Sequence, residues 1–306
     1  MSKKLLSIRH LLIIGFISMY LIACNGNEPA AERDTPNKGT IHISAEESFK
    51  PFLDEQLKVF GASFPETHII VHYKSEIECM KDLVEDSIRM VFVTRGLEKK
   101  EEEGFKKQLG FTPTFGILAY NAVAVVIHNQ AKDSVFTFAD LQKKLTGALP
   151  GNVVMDGSHL TGINRFIKDS LAKTNTLGKN VIAANGSNQV IEYISDHPSA
   201  IGFVGMNWIG DTYNSQQDVY RKHVKTALIE CTLCIEKGYF SKPSQSTIGK
   251  GQYSLSLPIY YILKENAPGL GSGLLNFMSL ERGQLIFRRA FLVPAKMSFQ
   301  QRKGLM

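Results

Sequence analysis

The chain has 306 residues, with 43% apolar and 21% charged side chains, the composition of an ordinary globular protein about two domains long. A single tryptophan, four cysteines and unexceptional glycine and proline exclude a collagen-like fibre, a coiled coil, a disordered chain and a disulfide scaffold. The formal charge of +6 falls to about +3 without Lys3, Lys4 and Arg9, and no basic stripe interleaved with aromatics marks a nucleic-acid surface.

Lys3, Lys4 and Arg9 precede residues 11–23 (LLIIGFISMYLIA), an uncharged apolar run. The run is too short to span a bilayer and suits the core of a signal peptide over residues 1–23. It ends in Leu21-Ile22-Ala23-Cys24, followed by Asn25-Gly26-Asn27, which resembles the bacterial lipoprotein box. That resemblance implies a lipidated Cys24 as the first residue of the mature protein, held by several acyl chains. The competing reading is a secretory signal with an unrelated cysteine. Residues 25–39 (NGNEPAAERDTPNKG) are polar and rich in Pro, Asn and Gly, so 24–39 read as a lipid-anchored, flexible tether.

Beyond the tether, short β-branched runs alternate with amphipathic stretches, and no repeat interrupts them. Strands are predicted at Thr40–Ser44, His68–Lys74, Arg89–Thr94, Asn121–His128, Asn152–Met155, Ala200–Val204, Lys225–Leu233 and Pro258–Lys264. Phe49, Phe52, Leu53, Leu57 and Phe60 share one face of a helix, as do Ile163, Phe166, Ile167 and Leu171. Val190, Ile191 and Ile194 form a third, shorter face. This alternation predicts α/β architecture with mainly parallel sheets.

In open α/β sheets ligands sit beyond the carboxyl ends of strands, and a cleft between lobes is a favoured site. Three strand-to-helix junctions therefore carry the functional reading. They are Ile43-Ser44-Ala45-Glu46-Glu47-Ser48-Phe49, Asp156-Gly157-Ser158-His159-Leu160-Thr161-Gly162-Ile163-Asn164-Arg165-Phe166 and Asn185-Gly186-Ser187-Asn188-Gln189-Val190. Each places Ser, Thr, Gly or Asn at a helix start, where free N–H groups favour a small anion. The same residues also cap helices that bind nothing.

Other chemistry is poorly represented. Cys231 and Cys234 have C-x-x-C spacing, but the alternation through Ile229–Ile235 favours structural cysteines over a redox or zinc pair. His68 and His72 fall on one face of a strand, and no histidine pair has a zinc-site pattern, so no metal is expected. Glu98–Glu103, with Lys106 and Lys107, reads as a solvated helix face. Asp156-Gly157-Ser158 lacks the G-x-S-x-G surround of a hydrolase nucleophile.

Several ordered segments resemble the periplasmic phosphate-binding proteins of ABC transporters, in a divergent lipoprotein form. Pro198-Ser199-Ala200-Ile201-Gly202-Phe203-Val204-Gly205 is similar to one family run. Tyr253 through Tyr260 (YSLSLPIY) resembles a second. Gly269-Leu270-Gly271 through Phe277, then Gly283-Gln284-Leu285-Ile286 and Phe291-Leu292-Val293-Pro294-Ala295, resemble the family's ending. The likeness covers nearly all of residues 40–296.

The resemblance implies a two-lobed periplasmic-binding-protein fold (type II-like) with its ligand cleft between the lobes. Lobe I would be 40–118 plus 256–306, and lobe II 119–255. It implies no enzyme and no cofactor, but a monomer that captures phosphate or a similar oxyanion by lobe closure. Delivery would be to ABC permease subunits, from a lipid anchor on the periplasmic side of the bacterial envelope. The alternative is a repurposed lipoprotein of this fold acting as a sensor or interaction module.

Residue by residue, Ser48-Phe49 match the family's Thr-Phe pair, and Ser75 lies near its second hydroxyl. Asp156-Gly157-Ser158 with Thr161-Gly162 is similar to its DGSGT loop, interrupted by His159 and Leu160. Two positions depart from the pattern. Arg95, after Thr94, stands where the family has an aspartate that accepts the proton of hydrogen phosphate. Val154 stands near the family's arginine, which Arg165 would replace. An acceptor thus becomes a donor, which should weaken rejection of sulfate. The expected ligand set is Ser48, Phe49, Ser75, Thr94, Arg95, Thr161, Gly162 and Arg165.

Overall fold

A computed structural model describes residues 33–156, 161–173 and 176–297. The signal segment, Cys24 and Gly157–Leu160 lie outside the described residues. The described residues from Asp34 onward form one compact unit.

The described strands are β1 (Gly39–Glu46), β2 (Thr67–Lys74), β3 (Ile88–Val93), β4 (Thr114–His128), β5 (Val135–Phe136), β6 (Val153–Asp156) and β7 (Val181–Ala184). They continue with β8 (Ile201–Gly205), β9 (Val224–Thr226), β10 (Leu228–Glu230), β11 (Phe240–Ser241), β12 (Ser256–Leu263) and β13 (Val293–Pro294). The principal sheet runs β2-β1-β3-β12-β4-β8-β6-β7, with β9 and β13 also paired to β4. β1 is parallel to β2 and β3, and β6 is parallel to β7 and β8. The two parallel sets are joined by antiparallel β12 and β4.

β4 is the shared member. Its first half pairs with β12 over Thr114–Ala122, and its second half pairs with β8 over Val123–Ile127. Its buried run Ala122–Ile127 lacks polar alternation because both faces are covered. The Tyr253 hydroxyl donates to the Val123 carbonyl at 2.8 Å, bracing the strand where it changes partners.

Apolar packing follows the same division. In one set of clusters the helix Lys50–Ser63 presents Phe52, Leu53 and Phe60 to Phe277, Met278 and Phe287 of the C-terminal helices. Cys79, Leu83 and Phe105 extend this half on the other side of the sheet. In the second half, Ile163, Ile167 and Leu171 pack with Leu141, Val153 and Phe203. Val190, Ile191 and Ile194 pack with Val154 and Val204. The three amphipathic faces read from spacing are therefore core faces. Their burial offsets the backbone entropy of forming short helices.

Local detail departs from the sequence expectation in several places. The helix with Ile163 and Leu171 is α-helical only over Gly162–Phe166 and widens to a π-helix over Ile167–Ala172. The widened turn buries Ala172 beside Leu171. The single strand expected over 225–233 is two short strands, β9 and β10, ending at Glu230. Cys231 and Cys234 then close a disulfide across a turn, which explains why the strand stops there. The last residues of the expected tether are packed: Asp34 accepts from the Leu270 N–H at 2.7 Å and pairs with Arg89 at 3.4 Å. No described helix is long and apolar enough to cross a membrane.

Candidate functional site

The carboxyl ends of β1, β2, β3 and β6 converge, and the residues that follow them make the site. Glu46 ends β1, with Ser48 two residues on. Ser75 and Glu76 follow β2, Thr94 follows β3, and Asp156 ends β6. Thr161 caps the helix Gly162–Phe166, its hydroxyl accepting from the Asn164 N–H at 3.3 Å. The Thr161 hydroxyl and the Asn164 side-chain amide both donate to the Asp156 carbonyl, at 3.2 and 3.0 Å. Those bonds tie Thr161 and Asn164 to the end of β6.

Arg165 reaches from this helix to the far side of the site. Its Nε donates to Glu76 Oε1 at 2.7 Å, and its Nη2 to Thr94 Oγ1 at 2.8 Å. The Thr94 N–H donates to Glu76 Oε2 at 3.1 Å, and the Thr94 hydroxyl donates to the same oxygen. Asp169 lies 3.8 Å from the other side of the guanidinium. Gly162 sits against this group so tightly that a Cβ would fall within 2.6 Å of Glu76 Oε2, Thr94 Oγ1 and Glu46 Oε2. Only glycine permits that approach.

Two more carboxyl groups border the arrangement. Glu46 is fully buried; Ser48 donates to its Oε1 at 3.0 Å, while its Oε2 has no hydrogen-bond partner. Burial, then the charge of Glu76, pushes Glu46 up to about 8, against a smaller opposing pull from Ser48. Asp156 accepts from the Ser187 hydroxyl; burial pushes it up to about 6, with Glu47 adding to the rise and Ser187 opposing it. The third junction therefore contributes its hydroxyl to Asp156. The halves are also tied by Asn207 and Trp208, whose side chains donate to the Ser48 carbonyl at 2.8 and 3.0 Å.

The structure thus brings together Ser48, Thr94, Thr161, Gly162 and Arg165. Phe49 lies in the first core, against Phe52. Ser75 caps the helix Glu76–Asp82, in a reciprocal pair with Glu78. The Arg95 guanidinium is held bidentately by Glu101, at 2.7 and 2.8 Å, and that pairing raises its proton affinity. Val154 is buried in the second core and offers no donor. Sequence reasoning passed over Glu46, Glu76 and Asp156 as functional groups. Their signal was position: each stands at or just beyond the carboxyl end of a strand, where a charged side chain must find partners.

His72 stacks on His42 of the neighbouring strand, with ring nitrogens 3.0 Å apart. No cluster of three metal-ligating side chains occurs among the described residues.

Residues 30–281 match the model of the PBP superfamily domain. The chain belongs to the PBP superfamily. Solved structures similar to this PBP-superfamily chain share its two-lobed fold. One is a substrate-binding protein from Clostridium perfringens, assigned to phosphate ABC transport and solved with bound phosphate. It has 18% identity and a TM-score of 0.68, with 84% of this chain and all of that chain covered. An ABC-type phosphate transport receptor from Vibrio cholerae has 16% identity and a TM-score of 0.63, again covering 84% of this chain and all of that one. PstS from Borrelia burgdorferi has 17% identity and a TM-score of 0.55, over 84% of this chain and 99% of that one. No curated protein matches this chain in sequence.

Proposed function

We propose that this PBP-superfamily protein is the solute-binding component of an ABC transporter, capturing phosphate or a like oxyanion between its lobes. The observation that carries the reading is the convergence of Arg165, from one half, with the Thr94 N–H and hydroxyl, from the other, on a single oxyanion group. Carboxylate and phosphate oxygens ask for the same donors, and guanidinium suits both. The phosphate-bound structural neighbour supports the choice of anion. Ser48, Thr161 and Gly162 complete the proposed pocket, with Arg95 held beside it by Glu101. Lobe I is 40–118 plus 256–306 and lobe II 119–255, a division that the apolar clusters follow except at Ala119, Leu257 and Val293.

Capture requires closure of the lobes and no bond making or breaking. Cys24 carries the lipid anchor outside the cytoplasm, and the monomeric body presents its ligand to the permease subunits. A second reading, a sensor or interaction module without transport, is favoured by the surplus of buried acid. Glu46, Glu76 and Asp156 are all buried, and of the three only Glu76 is paired with an arginine, Arg165.

Calorimetric titration of the protein, stripped of carried ligand by unfolding and refolding, decides between the readings. Saturable heat with phosphate supports capture, and heat with sulfate as well would show the loss of discrimination that Arg95 implies. A folded protein giving no heat with either anion, both as wild type and as Glu76→Ala, favours the sensor reading.

A further inference from the structure

The donors that would grip an oxyanion already grip one supplied by the chain. Both oxygens of Glu76 are taken: Oε1 by Arg165 Nε, and Oε2 by the N–H and hydroxyl of Thr94. The side chain is 3% exposed. A salt bridge serving stability alone needs only the guanidinium. Here a backbone N–H at a strand end, a hydroxyl and an arginine from the opposite half all point at one carboxylate, the donor set of an anion socket. Gly162 closes the remaining side, since no atom larger than hydrogen fits between its Cα and the carboxylates.

The socket has room for one anion at a time. A phosphate beside an undisplaced Glu76 would place like charges in a buried site with one arginine between them, an arrangement that repels strongly. Glu76 is the first residue of the helix Glu76–Asp82, which Ser75 caps independently through Glu78. Its side chain can therefore leave the socket by rotation while the helix stays formed. The fully buried Glu46 Oε2 lies against Gly162 at the same point.

We propose that Glu76 is an internal stand-in for the ligand: phosphate binds by displacing its carboxylate from Arg165 and Thr94, so Glu76 sets the affinity and the exchange of the site. The inference rests on the oxyanion reading above. A side chain that fills the socket about nine-tenths of the time weakens apparent affinity roughly tenfold, because only the remaining fraction can accept ligand.

Phosphate and sulfate titrations by calorimetry on the wild-type protein, Glu76→Ala, Glu76→Gln and the double variant Glu76→Ala/Arg165→Ala test this. The expected result is phosphate binding roughly tenfold or more tighter in Glu76→Ala than in the wild type. Glu76→Gln, which keeps the packing, should also gain, and the double variant should lose the gain. A wild type that gives no heat beside a Glu76→Ala that binds would support the inference in its strongest form. If the wild type binds phosphate and both single variants bind equally or more weakly, Glu76 is not a competitor; the inference falls and the capture reading stands. If folded wild type, Glu76→Ala and Glu76→Gln all fail to bind either anion, both fall. Should Glu76→Ala not fold, Glu76→Gln alone decides.

Discussion

Replacing Glu46 by glutamine is expected to remove a large pH dependence from the stability of this protein. Glu46 closes β1 with no exposed surface, and its Oε2 has no partner. Burial and the charges of Glu76 and Asp156 raise its carboxyl from 4.5 to about 8. Within that window the folded chain keeps a proton that the unfolded chain releases. This group's contribution is therefore complete below about pH 4.5, declines as pH rises, and is lost above about pH 8. At about 1.4 kcal/mol per unit, the loss is on the order of 5 kcal/mol at alkaline pH. Glutamine has nearly the same shape and no proton to release. Glu46→Gln should match the wild type within about 1 kcal/mol near pH 5. It should exceed it by several kcal/mol near pH 9, with the difference growing between. Urea unfolding at intervals across that range measures the difference directly. A difference that stays constant with pH would refute the reasoning, because it would mean that Glu46 is ionised in the fold throughout.

The two arginines should behave differently. Arg165→Ala is expected to weaken phosphate binding by about tenfold or more, since it removes the one guanidinium that reaches Glu76 and Thr94. Arg95→Ala should change the affinity by less than about threefold, because Glu101 already holds both arms of that guanidinium. Calorimetry on the two variants checks the contrast, and equal losses would place Arg95 back in the pocket. Gly273→Ala should lower stability by about 1–3 kcal/mol, because its methyl group would overlap the Pro36 carbonyl and lift residues 34–39 from the C-terminal helix. Thermal unfolding reads that loss. The Cys231–Cys234 disulfide closes only a short loop, so Cys231→Ser with Cys234→Ser should cost no more than about 2 kcal/mol, again measured by thermal unfolding.

Much of the fold was legible because apolar periodicity reports burial directly. The faces of Phe52 and Phe60, of Ile163 and Ile167, and of Val190 and Ile194 are core faces, and every predicted strand but the one expected over 225–233 is present as a single strand. What periodicity could not show was the length and sharing of β4. Its buried Ala122–Ile127 run has no alternation to count, and which neighbour covers each half is a tertiary fact. The end of the strand at Glu230 was equally hidden, because Cys231 and Leu233 continue the alternation while the disulfide turns the chain.

The site divides along the same line. The local order of residues by itself determined that Ser48, Thr94, Thr161 and Gly162 stand where strands give way to helices, since hydroxyls and glycine at such junctions carry a local signal. It also determined that Arg165 follows one turn into its helix. Only the tertiary structure decided which arginine reaches Glu76 and Thr94. Arg95 and Arg165 are equally good guanidinium donors as letters, but Glu101 lies within reach of one, and Glu76 and Thr94 meet the other from the opposite half of the molecule. The tertiary structure likewise decided that Glu46, Glu76 and Asp156 share one buried place. They are separated by tens of residues, and the charge a carboxyl group carries depends on burial and on neighbours that arrive only when the sheet is assembled.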